Sequence, residues 1–503
     1  MSNPLHEAVP PVERRLRATR MQMETAIAVV GCLIVLVADT QSLSLIPLLP
    51  QLEKQYGLTP SQAGWALSAV GLAGAAWAPT LTRLGDRLGM RRLLLAGLAV
   101  SLLGNLLSAV AHGFPLFLVS RALLGLSAAG PLVYAILRAR STSEQRTSRG
   151  VGILTVAIGL GIAVSYLLSG AIIQANGSVR TVLWVTTALS AVALLAAWAI
   201  LPDAEARSTD PIDWVGAAGV SAGLFCIVLA LGEGNTWGWS SGRIIALLAG
   251  GALIFAVWAW YEGRHAHPLI NIRRVLNRTA TPAFFVAGLC SALAVYTNLA
   301  QVVYLQMPRA AAGYGLSQTV LQVAYVLSAI SVAVVIGGFV TGPLVTRFGP
   351  RAVVSGAAIL AAAGFFFLAA DHDQTWQYVV ANILWGFAFA FAYGGASAAY
   401  LIDATPSEAA MYASANTVIS AGIGSLGAGV FTAILTSAPT IPKTPIPQPA
   451  VFDRLFLYAG LVSLVMLGLA LVMRRPRFVP ADPSTDLAAD MEPGAGPAPV
   501  PTA

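Results

Sequence analysis

The sequence predicts an all-α integral membrane protein of 14 transmembrane helices arranged 6+2+6, with both termini cytoplasmic. Three observations carry that prediction. Of 503 residues, 57% are hydrophobic and 10% charged, with a mean hydropathy of +0.74, which leaves too little polar surface for a soluble globule of this size. Fourteen apolar stretches are divided by short polar ones. A polar motif, Leu81 to Arg92, returns in weaker form as Thr341 to Arg351, with Asp86-Arg87-Leu88-Gly89 answered 260 residues later by Thr346-Arg347-Phe348-Gly349. Such a repeat marks a duplicated half.

Spanning about 30 Å of hydrocarbon takes about 20 helical residues, and the backbone groups must be satisfied within each segment. The first six stretches are Thr25 to Leu48, Ser61 to Leu81, Arg92 to Ala111, Phe114 to Leu137, Val151 to Ile173 and Val182 to Leu201. Two more follow, Trp214 to Leu231 and Ile244 to Tyr261. The last six are Ala283 to Tyr304, Val320 to Val345, Ala352 to Ala370, Trp376 to Leu401, Ala413 to Ile434 and Leu455 to Met473. The polar motif follows the second stretch and then the tenth. Seven plus seven cannot produce that interval, whereas six plus two plus six does. The expected organisation is a cytoplasmic tail (1–24), a six-helix bundle (25–201), a linker with two inserted helices (202–279), a second six-helix bundle (280–473) and a tail rich in Pro, Ala and Asp (474–503) read as disordered. Paired bundles of this kind hold a site near mid-membrane and rock about it.

Charge sets the orientation. With a cytoplasmic amino terminus, 22 of the 29 Lys and Arg residues fall in inner segments, as the positive-inside rule requires. The net charge of +7 therefore speaks for a bilayer partner and not for nucleic acid. The arginine-rich start leads into an apolar run long enough to span, which reads as a retained first helix and not a cleaved signal. Cys32, Cys226 and Cys290 lie in apolar runs without paired spacing, so neither a disulfide framework nor a metal site is expected. The five histidines sit outside the deep parts of the helices, and no phosphate-binding Gly-Lys-Ser/Thr motif is present. Neither an ATP-driven pump nor a metal-dependent enzyme is expected. The only coupling ion foreseen is the proton, with no cofactor.

At this point the motifs resemble those of the major facilitator superfamily, and within it the fourteen-helix drug:proton antiporters of the EmrB/QacA type. The family's signature between helices 2 and 3, Gly-x-Leu-Ala-Asp-Arg-x-Gly-Arg-Lys, is matched by Leu84, Asp86, Arg87, Gly89 and Arg91, with Thr82 in place of its first glycine and Met90 in place of a basic residue. The helix 4 signature appears as Arg121-Ala-Leu-Leu-Gly125, and Asp39-Thr40 in helix 1 and the Trp-Gly-Trp stretch within Gly234 to Trp239 are similar to this branch. The resemblance implies a secondary transporter without enzymatic activity, working as a monomer. The helix 5 signature departs: Val151 to Gly170 keeps Gly152, Gly159, Gly161 and Gly170 but lacks the proline of the antiporter pattern.

Candidate working residues follow from burying polar groups in lipid. An ionised carboxylate at bilayer depth costs about 2.5–3.5 kcal/mol on insertion scales, so Asp39 persists where it meets a cavity or a partner. Counting about 1.5 Å per residue puts it about 10 Å from the outer face and Arg121 about 9 Å deep on the way in. The two share a depth, and a change in their separation would load and release a proton. The static alternative is a buried ion pair joining helices 1 and 4. In the duplicate half, Asn382 stands where Arg121 is, and Thr297, beside Asn298, where Asp39 is. The charge is confined to one half, which favours proton work there. Leu84, Asp86, Arg87, Gly89 and Arg91, with Arg347 in the copy, suit a conformational latch at the cytoplasmic helix ends. Gly125, Gly159, Gly161 and Gly170 suit close helix packing.

Substrate contacts are sought among polar side chains at lipid depth. Asn298, Gln301 and Tyr304 recur every third residue, as do Gln322 and Tyr325, so each set shares a helix face. Asn105, Asn382 and Asn416 are of the same kind, and hydrogen bonds between helices explain all of them equally well. Apart from Asp39 no deep acid is present, so a neutral or monocationic amphiphile is the expected cargo. The expected function is proton-driven export of amphiphilic small molecules across the cell membrane. The alternatives are an importer or facilitator of a nutrient or lipid-like compound, kept open by the missing proline, and a sensor that does not transport.

Overall fold

The computed structural model describes residues 11–126, 132–133, 136, 144–202, 213–265, 278, 280–401, 406–442, 444 and 446–473. The expected tail 474–503 lies outside them. Long helices carry the chain, and each of the fourteen apolar stretches overlaps one. They are α1 (Pro11–Leu43), α3 (Pro60–Leu88), α4 (Met90–Val110), α5 (Phe114–Gly125), α6 (Glu144–Gln174), α7 (Val179–Ile200), α8 (Trp214–Trp237) and α9 (Gly242–Glu262). After these come α10 (Ala280–Gln306), α12 (Val320–Phe348), α13 (Pro350–Ala370), α14 (Thr375–Leu401), α15 (Pro406–Ser437) and α16 (Ala450–Val472). Two short helices, α2 (Leu49–Tyr56) and α11 (Arg309–Ala312), lie in the connections after α1 and α10. Eleven helices are long and apolar enough to cross a membrane, among the described residues, with shorter apolar segments at Phe114–Gly125 and Gly422–Ser437.

The first expected span needs correcting at its far end. Its apolar part begins at Thr25 as expected, on a helix that starts at Pro11, but the helix stops at Leu43 instead of reaching Leu48. Pro47 and Pro50 are the cause, since each lacks a backbone donor and disfavours helix in the residue before it. The chain turns through Ser44 to Leu48 on short-range bonds, Ile46 N–H to Leu43 O at 3.0 Å and Leu48 N–H to Leu45 O at 3.1 Å. α2 then restarts with a proline in its first turn.

The duplication is written into the local chemistry at the 260-residue interval. Thr59 and Thr319 each cap a long helix in a reciprocal box with the glutamine three residues on, Gln62 and Gln322, which satisfies two otherwise unpaired amide donors. Gly89 (φ 95°) and Gly349 (φ 80°) make the tight joints α3–α4 and α12–α13, their N–H groups bonded to Gly85 O and Val345 O. Positive φ is the reason both joints need glycine. Gly125 and Gly386 are also paired: a Cβ on the first would strike Val70 O, and a Cβ on the second would lie 2.6 Å from Ile330 O.

In the first half, α1 packs on α6 and α7, α4 on α5 and α7, and α3 on α5. In the second, α10 packs on α14, α15 and α16, α12 on α14, and α13 on α14 and α16. The extensive contacts between the halves are α6 with α12 and α3 with α15. These are the fifth long helix of each half against the second of the other, as a two-fold relation demands. α8 and α9 pair with each other, and α8 lies along α3 and α15.

The cores divide unequally. The largest buried cluster joins Ile46, Leu49, Ala63 and Tyr166 of the first half to the second half's core. The cluster around Ile27, Ile34, Leu94, Val133 and Ala197, at the end assigned to the cytoplasm, contains first-half residues alone. Among the described residues, the first half joins the shared apolar cluster near the end where α1 stops, and its core at the opposite end stands separate.

Candidate functional site

Asp39 lies about one turn from the end of α1, pressed onto the backbone of α6. A Cβ at Gly161 would stand 2.6 Å from Asp39 Oδ2, so only glycine lets the carboxylate lie there. That oxygen is enclosed and has no hydrogen-bond partner among the described residues. Tyr166, just over one helical turn along α6, is within electrostatic reach of Asp39. The tyrosine is 1% exposed, and its hydroxyl accepts a hydrogen bond from Asn298 Nδ2 of α10 at 3.0 Å. The Asn298–Tyr166 bond thus crosses the seam on the helix that carries Gly161.

Arg121 does not pair with Asp39. Its guanidinium, 1% exposed, donates from Nη1 to Gln41 O at 3.0 Å, from Nε to Ala66 O at 3.2 Å and from Nη2 to Ser42 O at 3.5 Å. The reason lies in where α1 stops. The last carbonyls of a helix have no intrahelical partner and carry the negative end of its dipole, and the break after Leu43 leaves Gln41 and Ser42 in that position. A planar fork of donors matches several carbonyls at once. The expected equal depth of Asp39 and Arg121 does not translate into contact in this conformation, and the arginine clamps α5 to α1 and α3.

The amide pair of the second half does the related task without charge. Gln301 and Asn382 exchange reciprocal side-chain bonds of 3.1 and 2.9 Å, and Asn382 Nδ2 also donates to Val326 O at 3.1 Å. Gln41, Ala66 and Arg121 of the first half correspond to Gln301, Val326 and Asn382, a register that sets Leu299, and not the expected Thr297, opposite Asp39. These two candidate substrate contacts are thus engaged in holding helices. Asn105 donates to Ser190 Oγ at 2.9 Å within a buried net that includes Gln41 and Ser101, and it too is engaged between helices. Tyr304 turns its hydroxyl to Asp373 Oδ1 at 2.6 Å. Gln322 is occupied in its helix cap. Tyr325 is a correction: it is 61% exposed on the outer surface of α12 and faces away from the interior, because α12 turns its Val323, Ala324 and Leu327 side inward.

Asn416 remains near a cavity. It accepts from Ser420 Oγ at 3.2 Å, and both hold the Tyr393 hydroxyl. Ser420 and Tyr393, with Ser42, Ser68, Ser291 and Ser425, line a cavity of about 330 Å³ between the halves, within the range of small-molecule sites. Sequence reasoning passed over these serines, whose spacing carries no signal of its own, and it passed over Gln41 and Tyr166.

The packing glycines all sit at close approaches. Gly125 faces Val70, Ala73 and Gly74 of α3, Gly159 faces Val335 and Ser331 of α12, and Gly170 faces Leu321 and Ala324 of α12. Of the proposed latch residues, Arg91 donates from Nη2 to Trp198 O at 2.7 Å within its own half, and Leu84 packs on the first-half core. Arg87 is exposed, and Arg347 lies 5.3 Å over the Phe348 ring. The Asp86 side chain lies outside the described residues.

Comparison with known proteins decides the family. The Major Facilitator Superfamily profile matches residues 31–431, and again 284–493. The chain belongs to the major facilitator superfamily. Among relatives in this superfamily, the MFS-type transporter Rv1877 of Mycobacterium tuberculosis (strain ATCC 25618 / H37Rv) is 29% identical over 347 residues, covering 68% of this chain and 48% of the relative. The chain thus spans about half the length of that relative. Puromycin resistance protein pur8 of Streptomyces alboniger is 26% identical over 338 residues, 67% of this chain and 66% of the relative. The crystal structure of the nucleoside transporter NupG superposes with a TM-score of 0.59 over 90% of this chain and 98% of that one, at 14% identity, a likeness of fold. As a superfamily member with many apolar helices, the chain is a multi-pass membrane protein.

Proposed function

We propose that this transporter exports amphiphilic small molecules in exchange for protons, as a member of the EmrB/QacA-type branch. In this reading fourteen spans are arranged as six, two and six, both termini are cytoplasmic, and one chain works alone. The carrying observation is the Asp39 carboxylate, whose Oδ2 is enclosed and without a hydrogen-bond partner on Gly161, in the helix that the Asn298–Tyr166 bond ties across the seam. A carboxylate held this way in a membrane interior is functional by default. Its site changes whenever α1 and α6 shift against α10, so proton binding and rocking are linked. The proton carrier is Asp39, with Arg121 as the clamp that fixes its helix. Cargo occupies the serine-lined cavity, whose described lining has no charge, which suits a neutral or weakly cationic amphiphile. The resistance phenotype named for pur8 points to the same class of cargo.

The test is transport in proteoliposomes under an imposed pH gradient, with puromycin as the first probe. Gradient-driven accumulation that Asp39→Asn abolishes is the expected result. Downhill flux indifferent to pH would replace export by facilitated diffusion, and binding without flux would make the protein a sensor.

A further inference from the structure

The cavity between the halves at their outer end has a different chemistry from the serine-lined one. It measures about 590 Å³, within the range that holds small ligands. Both halves build it, with α2 and the end of α6 on one side and the ends of α10 and α15 and the start of α12 on the other. Among the described residues Glu53 is the only charged one in its lining, surrounded by the amides of Gln174, Gln306 and Gln318 and by apolar faces such as Met307 and Phe431. The carboxylate of Glu53 makes no hydrogen bond or ion pair with the described residues, although cations are near. Lys54 is exposed on the same helix, Arg309 is exposed just beyond Pro308 of the lining, and Arg180 on α7, which packs against α2, donates to Ala111 O. Tyr56 of α2 stacks on Phe117. α10 also packs on α2, but its Tyr304 is committed to Asp373, and the outer turns of α3 bring no titratable side chain.

We propose that this outer cleft is a second binding site, for an organic cation with an apolar body, with Glu53 as the counter-charge. An unpaired carboxylate at the wall of an apolar cleft lacks the hydration it would have in water, and a cation restores the lost interaction. Methionine and phenylalanine take the apolar body, and a methionine adapts to several shapes. The amides orient without adding charge. Gln51 Nε2 donates to Gln306 Oε1 at 3.1 Å and Gln306 Nε2 to Pro47 O at 2.6 Å, so the cleft contains an amide clasp between the halves. A cation bound beside it occupies the joint that must part for the outer end to open. Burial also pushes the Glu53 carboxyl up to about 7, which places its charge under the control of external pH. The site is separate from Asp39, and its test does not depend on export.

The experiment is calorimetric titration of tetraphenylphosphonium into the full-length protein in detergent micelles, with protein-free micelles as the blank, at pH 8 and pH 6. Binding is expected at pH 8 and several-fold weaker binding at pH 6, because Glu53 is protonated below about 7. Glu53→Gln should weaken binding at pH 8 about tenfold, equivalent to about 1.4 kcal/mol, and remove the pH dependence, while Glu53→Asp restores both in part. Met307→Trp, which fills the cleft without touching the charge, should also weaken binding. Thermal melting of each variant reports folding independently. No binding by the unaltered protein up to millimolar probe, equal binding by Glu53→Gln, or a loss that follows Asp39→Asn and not Glu53→Gln would overturn the proposal.

Discussion

Arg121→Lys, combined with Asp39→Asn in a double-mutant cycle, tests whether the two intramembrane charges act on each other or on separate partners. The arginine holds three carbonyls on two helices at 3.0, 3.2 and 3.5 Å. A lysine ammonium keeps the charge but is a single point on a flexible stem and cannot reach carbonyls diverging onto α1 and α3. Losing one or two charge-assisted bonds, at about 1.5–3 kcal/mol each, gives a destabilisation of about 2–4 kcal/mol. Since Asp39 makes no bond to the guanidinium, the two substitutions should add to within about 0.5 kcal/mol. A buried ion pair would instead couple them strongly, for breaking one costs about 3–5 kcal/mol. Reversible unfolding in mixed micelles with increasing denaturing detergent gives the four free energies. A coupling energy above about 1.5 kcal/mol would refute the separate-partner account and restore the direct pair.

Three further expectations are open to direct measurement. Gly161→Val should displace the Asp39 carboxylate and abolish gradient-driven transport while leaving folded protein in the membrane, read by flux in parallel with size-exclusion profiles; unchanged flux would show that the acid need not lie on α6. Gly125→Ala and Gly386→Ala should both lower the melting temperature, since each Cβ meets a backbone carbonyl that cannot swing aside, with a cost of about 1–3 kcal/mol. Glu53 sets a pH dependence of stability: its folded pKa lies above the ordinary value of 4.5, so between about 4.5 and about 7 the folded state binds more protons than the unfolded one and stability falls as pH rises. That component of the melting curve should vanish in Glu53→Gln.

The helices and the duplication were legible because both have signals that survive without tertiary context. Apolar stretches of membrane length mark the helices, and the interval between Gly89 and Gly349 marks the repeat. What could not be read was where polar side chains point. Arg121 looked like a partner for Asp39 because depth along two helices was the only coordinate available, whereas rotation about the helix axis and the end of α1 decide contact. Pro47 and Pro50 did carry the signal for that end, and with it the unsatisfied carbonyls at Gln41 and Ser42. Tyr325 failed for a related reason: threefold spacing shows that it shares a face with Gln322 but not which way the face is turned. The serine-lined cavity leaves no trace in the sequence, because its members come from several helices and each alone is an ordinary helix serine.

The two halves keep their first and fourth long helices together by different means, a cation on carbonyls in one and a neutral amide couple in the other. When an amide couple separates, each partner can still take a water or a neighbouring carbonyl, so the second half can loosen locally at modest cost. A guanidinium pulled off its carbonyls in the same surroundings is stranded, so the first half must swing as a block. Any deformation that accompanies cargo passage should therefore gather in the second half, and crystals or spectroscopic labels that capture intermediate shapes should find its α10, α12 and α14 rearranged while α1, α3 and α5 travel as one piece.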